Sequence, residues 1–283
     1  MDATPGTYGD RWNGPGGHAW VELQPVLDGM FRNIEPLLTD AVAAGQPRRV
    51  LDVGCGTGGV TLAVARRLGP AGHCVGVDIS ETLVTAARER SEREGTPASF
   101  IHGDAQDHPF EPAVFDAVVS RFGVMFFGDS VKAFANLRRA ATDDARLRLV
   151  VWRGSEENPF MTTAERAAAP LLDLPVRSPG QPGQFALADA DKVRHILAES
   201  GWSGIGIRPA DVECVLPEPE LERYFTRLGP LSQVMDELDS RTRRQVVETV
   251  RAAFETFVQG SDVRFTAAVW VVNARVSSDS VAQ

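Results

Sequence analysis

The sequence predicts an α/β protein built on a doubly wound, parallel sheet of seven strands. Two observations support this fold class. Apolar runs of strand length alternate along the chain with segments in which apolar residues recur at helical spacing. A glycine-rich segment, residues 54–59, follows the first of these runs, as in a turn between a strand and a helix. Hydrophobic residues make up 43% of the 283 positions, which is enough for one large core.

The first half of the chain alternates regularly between predicted strands and helices. Gly69 and Pro70 stop the first helix, while Ser80 caps the second helix and Gly95 stops it. The strands are predicted at residues 49–53, 74–77, 98–102, 115–120 and 147–152, and the helices at residues 60–68, 80–94 and 131–140.

The second half is less regular. Residues 154–188 are rich in proline and glycine and contain one helical piece near residues 162–172, which indicates an insertion or lid. A helix at residues 189–200 and two helical pieces within residues 218–258 follow, and the last two strands are predicted at residues 205–215 and 263–274.

Charge and composition exclude several classes of partner. The formal net charge of −9 opposes binding to nucleic acid or to anionic lipid. The apolar runs are far shorter than a membrane span, and the polar, glycine-rich first 17 residues do not resemble a signal peptide. Three cysteines without paired spacing and five scattered histidines argue against a disulfide framework and against a metal site. We therefore expect a cytoplasmic protein without a metal.

The glycine-rich turn is the first candidate for chemistry. Asp52 stands at the end of a predicted strand, and Gly54, Gly56 and Gly58 follow at alternate positions. Glycines let the backbone approach a ligand closely, since a Cβ there would collide with it. A tight turn without any ligand, or the dinucleotide-binding pattern completed by Gly59, fits the same residues.

Two further acids sharpen this interpretation. Asp78 ends the second predicted strand, where a carboxylate accepts both hydroxyls of a ribose, and Asp104 follows the third strand. A carboxylate at Asp104 can hold the amino group of an adenine, with Ile79 and Ala105 on either side of the ring. Three acids at three successive strand ends indicate one nucleoside-binding crevice at the carboxyl edge of the sheet.

These residues resemble the motifs of the class I S-adenosylmethionine-dependent methyltransferases. The resemblance covers roughly residues 48–152, and it is carried by Asp52-x-Gly54-x-Gly56-x-Gly58, Val75-Gly76-Val77-Asp78-Ile79-Ser80, Gly103-Asp104-Ala105 and Phe115-Asp116-Ala117-Val118-Val119. It implies a Rossmann-like sheet whose last strand is antiparallel. It also implies that S-adenosylmethionine is the cofactor and S-adenosylhomocysteine the product.

The resemblance assigns roles to individual residues. The three alternate glycines would pack on the methionine part of the cofactor, and Asp52 would bind its ammonium group directly or through water. Asp78 would hold the ribose and Asp104 the adenine. Ser120, at the end of the fourth predicted strand, is counted with the cofactor-binding residues.

The flanking residues resemble a bacterial subgroup related to the quinone-biosynthesis C-methyltransferases. The similar segments are residues 12–14 with Trp20, residues 120–127, and residues 152–153 with residues 157–159. One departure stands before the fifth strand, where residues 142–145 replace the Pro-Gly-Gly that is usual in the family. On this basis the chain divides into an N-terminal lid or helical segment (1–45), a cofactor-binding core (46–153), an insertion (154–188), a C-terminal part of the sheet (189–275) with a helical insertion (218–260), and a disordered tail (276–283).

Two residues are candidates for the catalytic side. Arg121 follows the fourth strand and is expected to orient an anionic or carbonyl-bearing acceptor, although a structural salt bridge explains it equally well. His18 is the candidate general base, since an imidazole can accept the proton of a hydroxyl or ammonium group. A solvated loop histidine is the simpler interpretation of His18.

Aromatic residues mark a possible lid and acceptor pocket. The N-terminal segment with Tyr8, Trp12 and Trp20 is expected to fold over the cofactor, or else to dock a flexible terminus on the sheet. The expected acceptor pocket contains Trp152, Phe160, Phe185 and, as a polar anchor, Asn158. Core packing explains the aromatic residues equally well.

The sequence thus predicts a methyltransferase that acts on a small, secondary-metabolite or quinone-like acceptor, as a monomer or homodimer. An NAD-dependent oxidoreductase is the first alternative, but it leaves Asp104 unexplained, and neither Tyr8 nor Tyr224 has a lysine four residues on. A non-catalytic nucleoside-binding module is the second alternative.

Overall fold

The computed structural model describes residues 12–174 and 181–276. Its strands are β1 (Arg49–Val53), β2 (His73–Asp78), β3 (Ser99–His102), β4 (Phe115–Arg121), β5 (Ala141–Trp152), β6 (Ser203–Pro217), β7 (Val258–Gln259) and β8 (Asp262–Arg275). Its α-helices are α1 (Pro15–Glu22), α2 (Gln24–Met30), α3 (Pro36–Gly45), α4 (Gly59–Leu68), α5 (Glu81–Glu94), α6 (Ser130–Ala140), α7 (Pro159–Ala168), α8 (Ala190–Glu199), α9 (Leu221–Arg227) and α10 (Ser240–Phe254).

The sheet has the predicted topology. Seven strands run in the order β3-β2-β1-β4-β5-β8-β6, and the first five are parallel. Strand β8 is antiparallel to β5 and to β6, and it also pairs with the two-residue strand β7. The predicted doubly wound sheet of seven strands with its last strand antiparallel is therefore confirmed, with β7 as a short addition.

Helices cover the sheet in packed pairs. Helix α3 contacts α4, α6 contacts α8, and α7 contacts α10. Ser80 caps α5 through its Oγ, which accepts the backbone N–H of Leu83 at 3.2 Å, as the sequence predicts. Among residues 12–174 and 181–276, none of the helices has both the length and the apolar character needed to cross a bilayer.

The fifth strand begins earlier than predicted. Strand β5 starts at Ala141, and its pairing with β4 shifts register between Phe115 and Ala117. Asp144 has a φ of +68°, so this residue adopts the left-handed conformation for which glycine is usual. Aspartate tolerates that region better than most residues, which explains how the chain accommodates the departure from Pro-Gly-Gly.

The two predicted insertions meet in an aromatic cluster. The ring of Phe160 from α7 stacks on Phe265 of β8 at 3.8 Å between centroids, and it contacts Phe254 of α10 edge to face at 5.1 Å. Phe225 of α9 in turn stacks on Phe254 at 5.8 Å. Fully buried rings of this size anchor α7, α9 and α10 to one another. The domain limits themselves stay a prediction.

Some predicted features lie outside the described residues. They are Tyr8 in the N-terminal segment, residues 175–180 of the insertion and residues 277–283 of the tail. The predicted tail begins one residue too early, because Val276 is buried and its backbone N–H donates to the carbonyl of Ala145 at 3.0 Å.

Candidate functional site

A large cavity opens at the carboxyl ends of the parallel strands. Its volume is about 1060 Å³, and its wall combines the turn after β1, the ends of β2, β3 and β4, helices α1 and α2, and the two insertions. Asp78 and Asp104 line it at the sheet edge, and the insertions contribute several aromatic residues together with the polar Glu165 and Gln184. This volume exceeds the usual range for one drug-sized ligand, so the cavity has room for two molecules.

The glycines of the turn serve different purposes. A Cβ built on Gly54 would lie 2.5 Å from the Cα of Gly123, so this glycine allows two backbone segments to cross. A Cβ built on Gly58 would lie 3.1 Å from the ring of Phe100, which makes this glycine a packing residue. Gly56 has nothing within 4 Å of such a Cβ, and it lines the cavity. Gly56 is therefore the glycine that leaves room for a ligand.

These differences predict opposite outcomes for two alanine substitutions. Gly54→Ala should destabilise the free protein by more than about 2 kcal/mol, because a positive φ and a backbone clash add together. Gly56→Ala should cost only about 1 kcal/mol in the free protein, since only its φ of +54° is unfavourable. It should nevertheless weaken binding of S-adenosylhomocysteine. Thermal unfolding and calorimetric titration of both variants measure the two effects, and equal stability losses would contradict this division of roles.

Asp78 is oriented by the backbone around it. Its carboxylate accepts the N–H of Gly56 at 2.8 Å and the N–H of Ser80 at 2.9 Å, so it joins the glycine turn to the start of α5. The side chain is largely buried yet reaches the cavity, and burial raises the pKa of its carboxyl above the usual value. A carboxylate held in this way is preorganised to accept the hydroxyls of a ribose.

The third predicted acid also lies on the cavity wall. Asp104 is exposed, and its Oδ1 accepts the backbone N–H of Gln106 at 2.9 Å. Ile79 and Ala105 line the cavity beside it. The structure therefore brings Asp78, Ile79, Asp104 and Ala105 together at the edge formed by β2 and β3.

Asp52 lies one layer below the cavity. It is 1% exposed and is not part of the cavity wall, and its Oδ2 accepts the Oγ1 hydrogen of Thr61 in α4 at 2.7 Å. Burial raises the pKa of Asp52 to about 6. Asp52 therefore does not reach the cavity surface, and its contact with a ligand ammonium group, directly or through water, stays a prediction.

Ser120 also lies behind the cavity wall. It is fully buried, donates its hydroxyl hydrogen to the carbonyl of Val53 at 2.7 Å, and accepts the N–H of Gly123 at 3.2 Å. These bonds hold β4 and β1 at the point where Gly54 and Gly123 cross. We correct the expectation that Ser120 contacts a ligand, because its polar atoms are turned to the backbone.

The two catalytic candidates lie in different environments. Arg121 lines the cavity, and its guanidinium stands over the ring of Phe31 at 5.6 Å from the centroid. His18 is exposed on α1, makes a 3.0 Å contact with the carbonyl of Gly14, and is not part of the cavity wall. The structure does not support the expectation that His18 is a general base, because a base must reach its proton.

Aromatic residues of the N-terminal segment close the cavity over the sheet edge. Trp12 contacts Phe126 at 5.5 Å and Trp20 at 5.9 Å between centroids, both edge to face. The carbonyl of Trp12 accepts the hydroxyl hydrogen of Ser80 at 2.6 Å, and Asn13 bonds to the backbone of Glu81. The segment is therefore fastened to the start of α5, and Trp12 and Trp20 line the cavity; that the segment folds over a cofactor stays a prediction.

The residues predicted to form an acceptor pocket line the cavity, with one exception. Trp152, Phe160 and Phe185 line the cavity, and the ring of Trp152 stacks on Phe122 at 4.4 Å. Asn158 is 1% exposed, and it bonds to the backbone of Ala268 through both its oxygen and its nitrogen. The prediction that Asn158 anchors an acceptor is corrected, because its amide ties α7 to β8.

Sequence reasoning missed the contribution of α2. Asp28 lines the cavity and forms an ion pair with Arg90 of α5 at 2.8 Å. Phe31, just after α2, packs against Phe122 and Trp152. An acid four residues after Gln24 on a short helix carries no motif, so only the tertiary contact reveals Asp28.

Comparisons with known proteins agree with this geometry. A family model described as a methyltransferase domain matches residues 50–144. Nocamycin O-methyltransferase of Saccharothrix syringae is 37% identical over 120 residues, which are 42% of this chain and 43% of that protein. Demethylmenaquinone methyltransferase of Thermus thermophilus is 36% identical over 101 residues, which are 36% of this chain and 46% of that protein.

A solved structure extends the likeness beyond the matched segment. The crystal structure of the cyclase SpnF has a TM-score of 0.55 and 19% identity, and it covers 92% of this chain and 94% of its own. At this identity the likeness concerns the fold alone. The chain spans less than half the length of the two curated relatives that it matches.

Proposed function

We propose, from the premise that this chain belongs to the class I S-adenosylmethionine-dependent methyltransferases, that it methylates a small, largely apolar acceptor. The observation that carries the proposal is one continuous cavity. It runs from the acids at the sheet edge to a chamber lined by aromatic residues of the insertions. A site of this shape places a polar nucleoside and an apolar second molecule in contact.

The residues of the sheet edge fit the cofactor. The open space above Gly56 accommodates it, Asp78 accepts the ribose hydroxyls, and Asp104 receives the amino group of the adenine. When bound, S-adenosylmethionine supplies a methyl group on a positively charged sulfur. The negative charges of Asp52 and Asp78 below the turn favour that positive charge.

The chain contributes mainly positioning and exclusion of water. Transfer to a nucleophile requires an in-line approach to the methyl carbon, and well-oriented reactants lower the barrier without a dedicated base. Trp12 closes one side of the cavity, while Phe122 and Trp152 form a stacked wall on another. The acceptor is held between these rings and the aromatic residues of α7, α9 and α10.

The chemistry of the acceptor follows from the lining and from the relatives. Phe160, Tyr224, Phe225 and Leu231 give the chamber an apolar surface. One relative is named nocamycin O-methyltransferase, and others are named demethylmenaquinone methyltransferase. We propose a secondary-metabolite or quinone-like acceptor, and the net charge of −9 disfavours a nucleic acid.

Methyl-labelled S-adenosylmethionine tests this function. The protein is incubated with the labelled cofactor and a panel of reduced naphthoquinones, phenols and polycyclic alcohols, and products are detected by mass spectrometry. Label in an apolar small molecule supports the proposal. Binding of S-adenosylhomocysteine without transfer to any acceptor class contradicts it, and favours the non-catalytic module.

A substitution within the apolar chamber distinguishes the binding of the acceptor from the binding of the cofactor. Ala164 of α7 lines the cavity, and Ala164→Trp should fill part of the acceptor chamber. We expect turnover to fall more than about tenfold, while the affinity for S-adenosylhomocysteine stays within about twofold. Equal losses of both would contradict a separate acceptor chamber. Ala167→Trp, on the same helix and absent from the cavity wall, is the control.

We also propose a cytoplasmic location and a monomeric or homodimeric state. Cys55, Cys74 and Cys214 are free and buried, which suits a reducing compartment. Cell fractionation tests the location, and light scattering tests the oligomeric state.

A further inference from the structure

We propose that Arg121 binds the α-carboxylate of the cofactor and makes the site selective for the complete amino-acid end. This inference rests on the proposed function and gives Arg121 a different role from the acceptor contact that the sequence predicts. It assigns a residue outside the glycine turn to cofactor recognition.

The strand register determines where Arg121 points. In the pairing of β1 with β4, Asp52 stands opposite Val119, and Arg121 follows Val119 by two residues. Side chains two apart on a strand share a face, so Arg121 emerges on the same face as Asp52. Asp52 bonds to Thr61 of α4, which shows that this is the face covered by α4.

The side chain of Arg121 reaches the first residue of α4. A Cβ built on Gly59 would lie 3.7 Å from Arg121 Nη2, 3.8 Å from Arg90 Nη1 and 2.9 Å from Asp28 Oδ1. Gly59 begins a ten-residue helix whose first N–H groups lack helical partners and favour an anion. Three charged side chains and a helix terminus thus converge at one point of the cavity wall.

Arg121 has the charges of Asp28 and Asp52 nearby but no direct ion pair among the described residues. Asp28 is neutralised by Arg90 at 2.8 Å. The guanidinium of Arg121 makes no hydrogen bond or ion pair with residues 12–174 and 181–276, and its contact is the ring of Phe31. Burial lowers the pKa of Arg121, while the charges of Asp28, Asp52 and Glu35 act to raise it. A half-buried guanidinium that lines the cavity, with no hydrogen bond to the described residues, has its N–H groups available to an anionic ligand.

The order of the strands identifies that anion. Asp104 follows β3 and Asp78 ends β2, so adenine and ribose occupy successive positions along the sheet edge. Strands β1 and β4 come next, and neighbouring strands are about 4.8 Å apart. Arg121 at the end of β4 is therefore about 14 Å from the adenine position, where the amino-acid end of an extended cofactor arrives.

The test pairs a change in the protein with a change in the ligand. Calorimetric titrations compare S-adenosylhomocysteine, its decarboxylated analogue and 5′-methylthioadenosine, each with the wild-type chain, Arg121→Met and Arg121→Lys. Arg148→Met is the matched control. Arg148 lies on the same face of the sheet, bonds to the carbonyl of Leu37 at 2.8 Å, and is not part of the cavity wall.

Arg121→Met should weaken S-adenosylhomocysteine binding by about 10- to 100-fold, since hydrogen bonds to charged groups have this magnitude. The two ligands without a carboxylate should change by less than about twofold. Arg121→Lys should recover part of the loss, and Arg148→Met should leave the ratio of the three affinities unchanged.

Several results would overturn the inference. They are an unchanged affinity for S-adenosylhomocysteine, an equal loss for all three ligands, or a variant that raises only the KM for the acceptor. If Arg121→Met does not fold, a wild-type protein that binds the decarboxylated analogue as tightly as S-adenosylhomocysteine also overturns it. A wild-type protein that binds none of the three ligands instead refutes the proposed function.

Discussion

Replacement of Asp78 by alanine is expected to weaken binding of S-adenosylhomocysteine by more than about 100-fold. The carboxylate is set in place by the backbone N–H groups of Gly56 and Ser80, and it faces the cavity. Two charge-assisted hydrogen bonds to a ribose contribute roughly 3–6 kcal/mol together. Calorimetric titration measures the loss.

The chain offers a matched control for this substitution. The carboxylate of Asp116 also accepts two backbone N–H groups, from Arg48 at 2.8 Å and Arg49 at 3.0 Å. It lies at the opposite end of β1, away from the cavity. Asp116→Ala should therefore lower the unfolding temperature but leave the affinity within about twofold. An Asp78→Ala protein that binds within about threefold of the wild type would refute the ribose assignment.

Asp52→Asn is expected to stabilise the free protein while it weakens cofactor binding. A pKa of about 6, against an ordinary 3.8, means that the buried charge costs roughly 3 kcal/mol at neutral pH. Asparagine removes that charge and keeps an oxygen that can accept the hydroxyl hydrogen of Thr61. The negative charge below the turn is lost, so affinity for S-adenosylmethionine should fall by about tenfold.

The pH dependence of Asp52 has a definite sign. Because its pKa is raised in the folded state, its contribution to stability is fully present below pH 3.8 and is lost as pH rises through about 6. The stability gained by Asp52→Asn should therefore appear above pH 6 and vanish below pH 4. Chemical unfolding at a series of pH values measures this, and a gain that is constant across the range would contradict the buried charge.

The affinity for S-adenosylmethionine should rise with pH, whereas the stability contribution of Asp52 falls. A positively charged ligand favours the ionised form of Asp52, so binding of S-adenosylmethionine should weaken as pH falls below 6 and should release a proton near that pH. Asp52→Asn should reduce this dependence. The pKa of Asp78 is also raised by burial, so Asp78 should account for the pH dependence of binding that remains in this variant.

The strand ends of the site were predictable from sequence because the pattern of apolar runs locates them. Asp78 and Asp104 follow strands whose ends were placed within one residue, and parallel strands bring such positions to one edge. A strand boundary also brings Arg121 to that edge. The boundary alone does not determine on which face of the sheet the side chain of Arg121 lies; the pairing of β1 with β4 determines it.

The sequence could not predict whether a motif residue reaches the cavity surface or is buried behind it. Asp52 and Ser120 stand in the expected places, yet hydrogen bonds to Thr61 and Val53 turn them away from the cavity. His18 lies in the expected covering segment, but the rotation of α1 exposes it. Asp28 of α2 is tied to the site by its ion pair with Arg90 of α5, a contact that no local pattern encodes.

Calorimetric titration of the purified protein with S-adenosylhomocysteine and, separately, with NADH tests whether this cavity binds a methyl donor. We expect micromolar binding of S-adenosylhomocysteine and none of NADH, because Asp78 and Asp104 line the cavity where an adenosine would lie and Arg121 lines it where we propose that the carboxylate of the amino-acid end binds. Binding of NADH alone, or of neither ligand, would contradict the assignment of this cavity to a methyl donor.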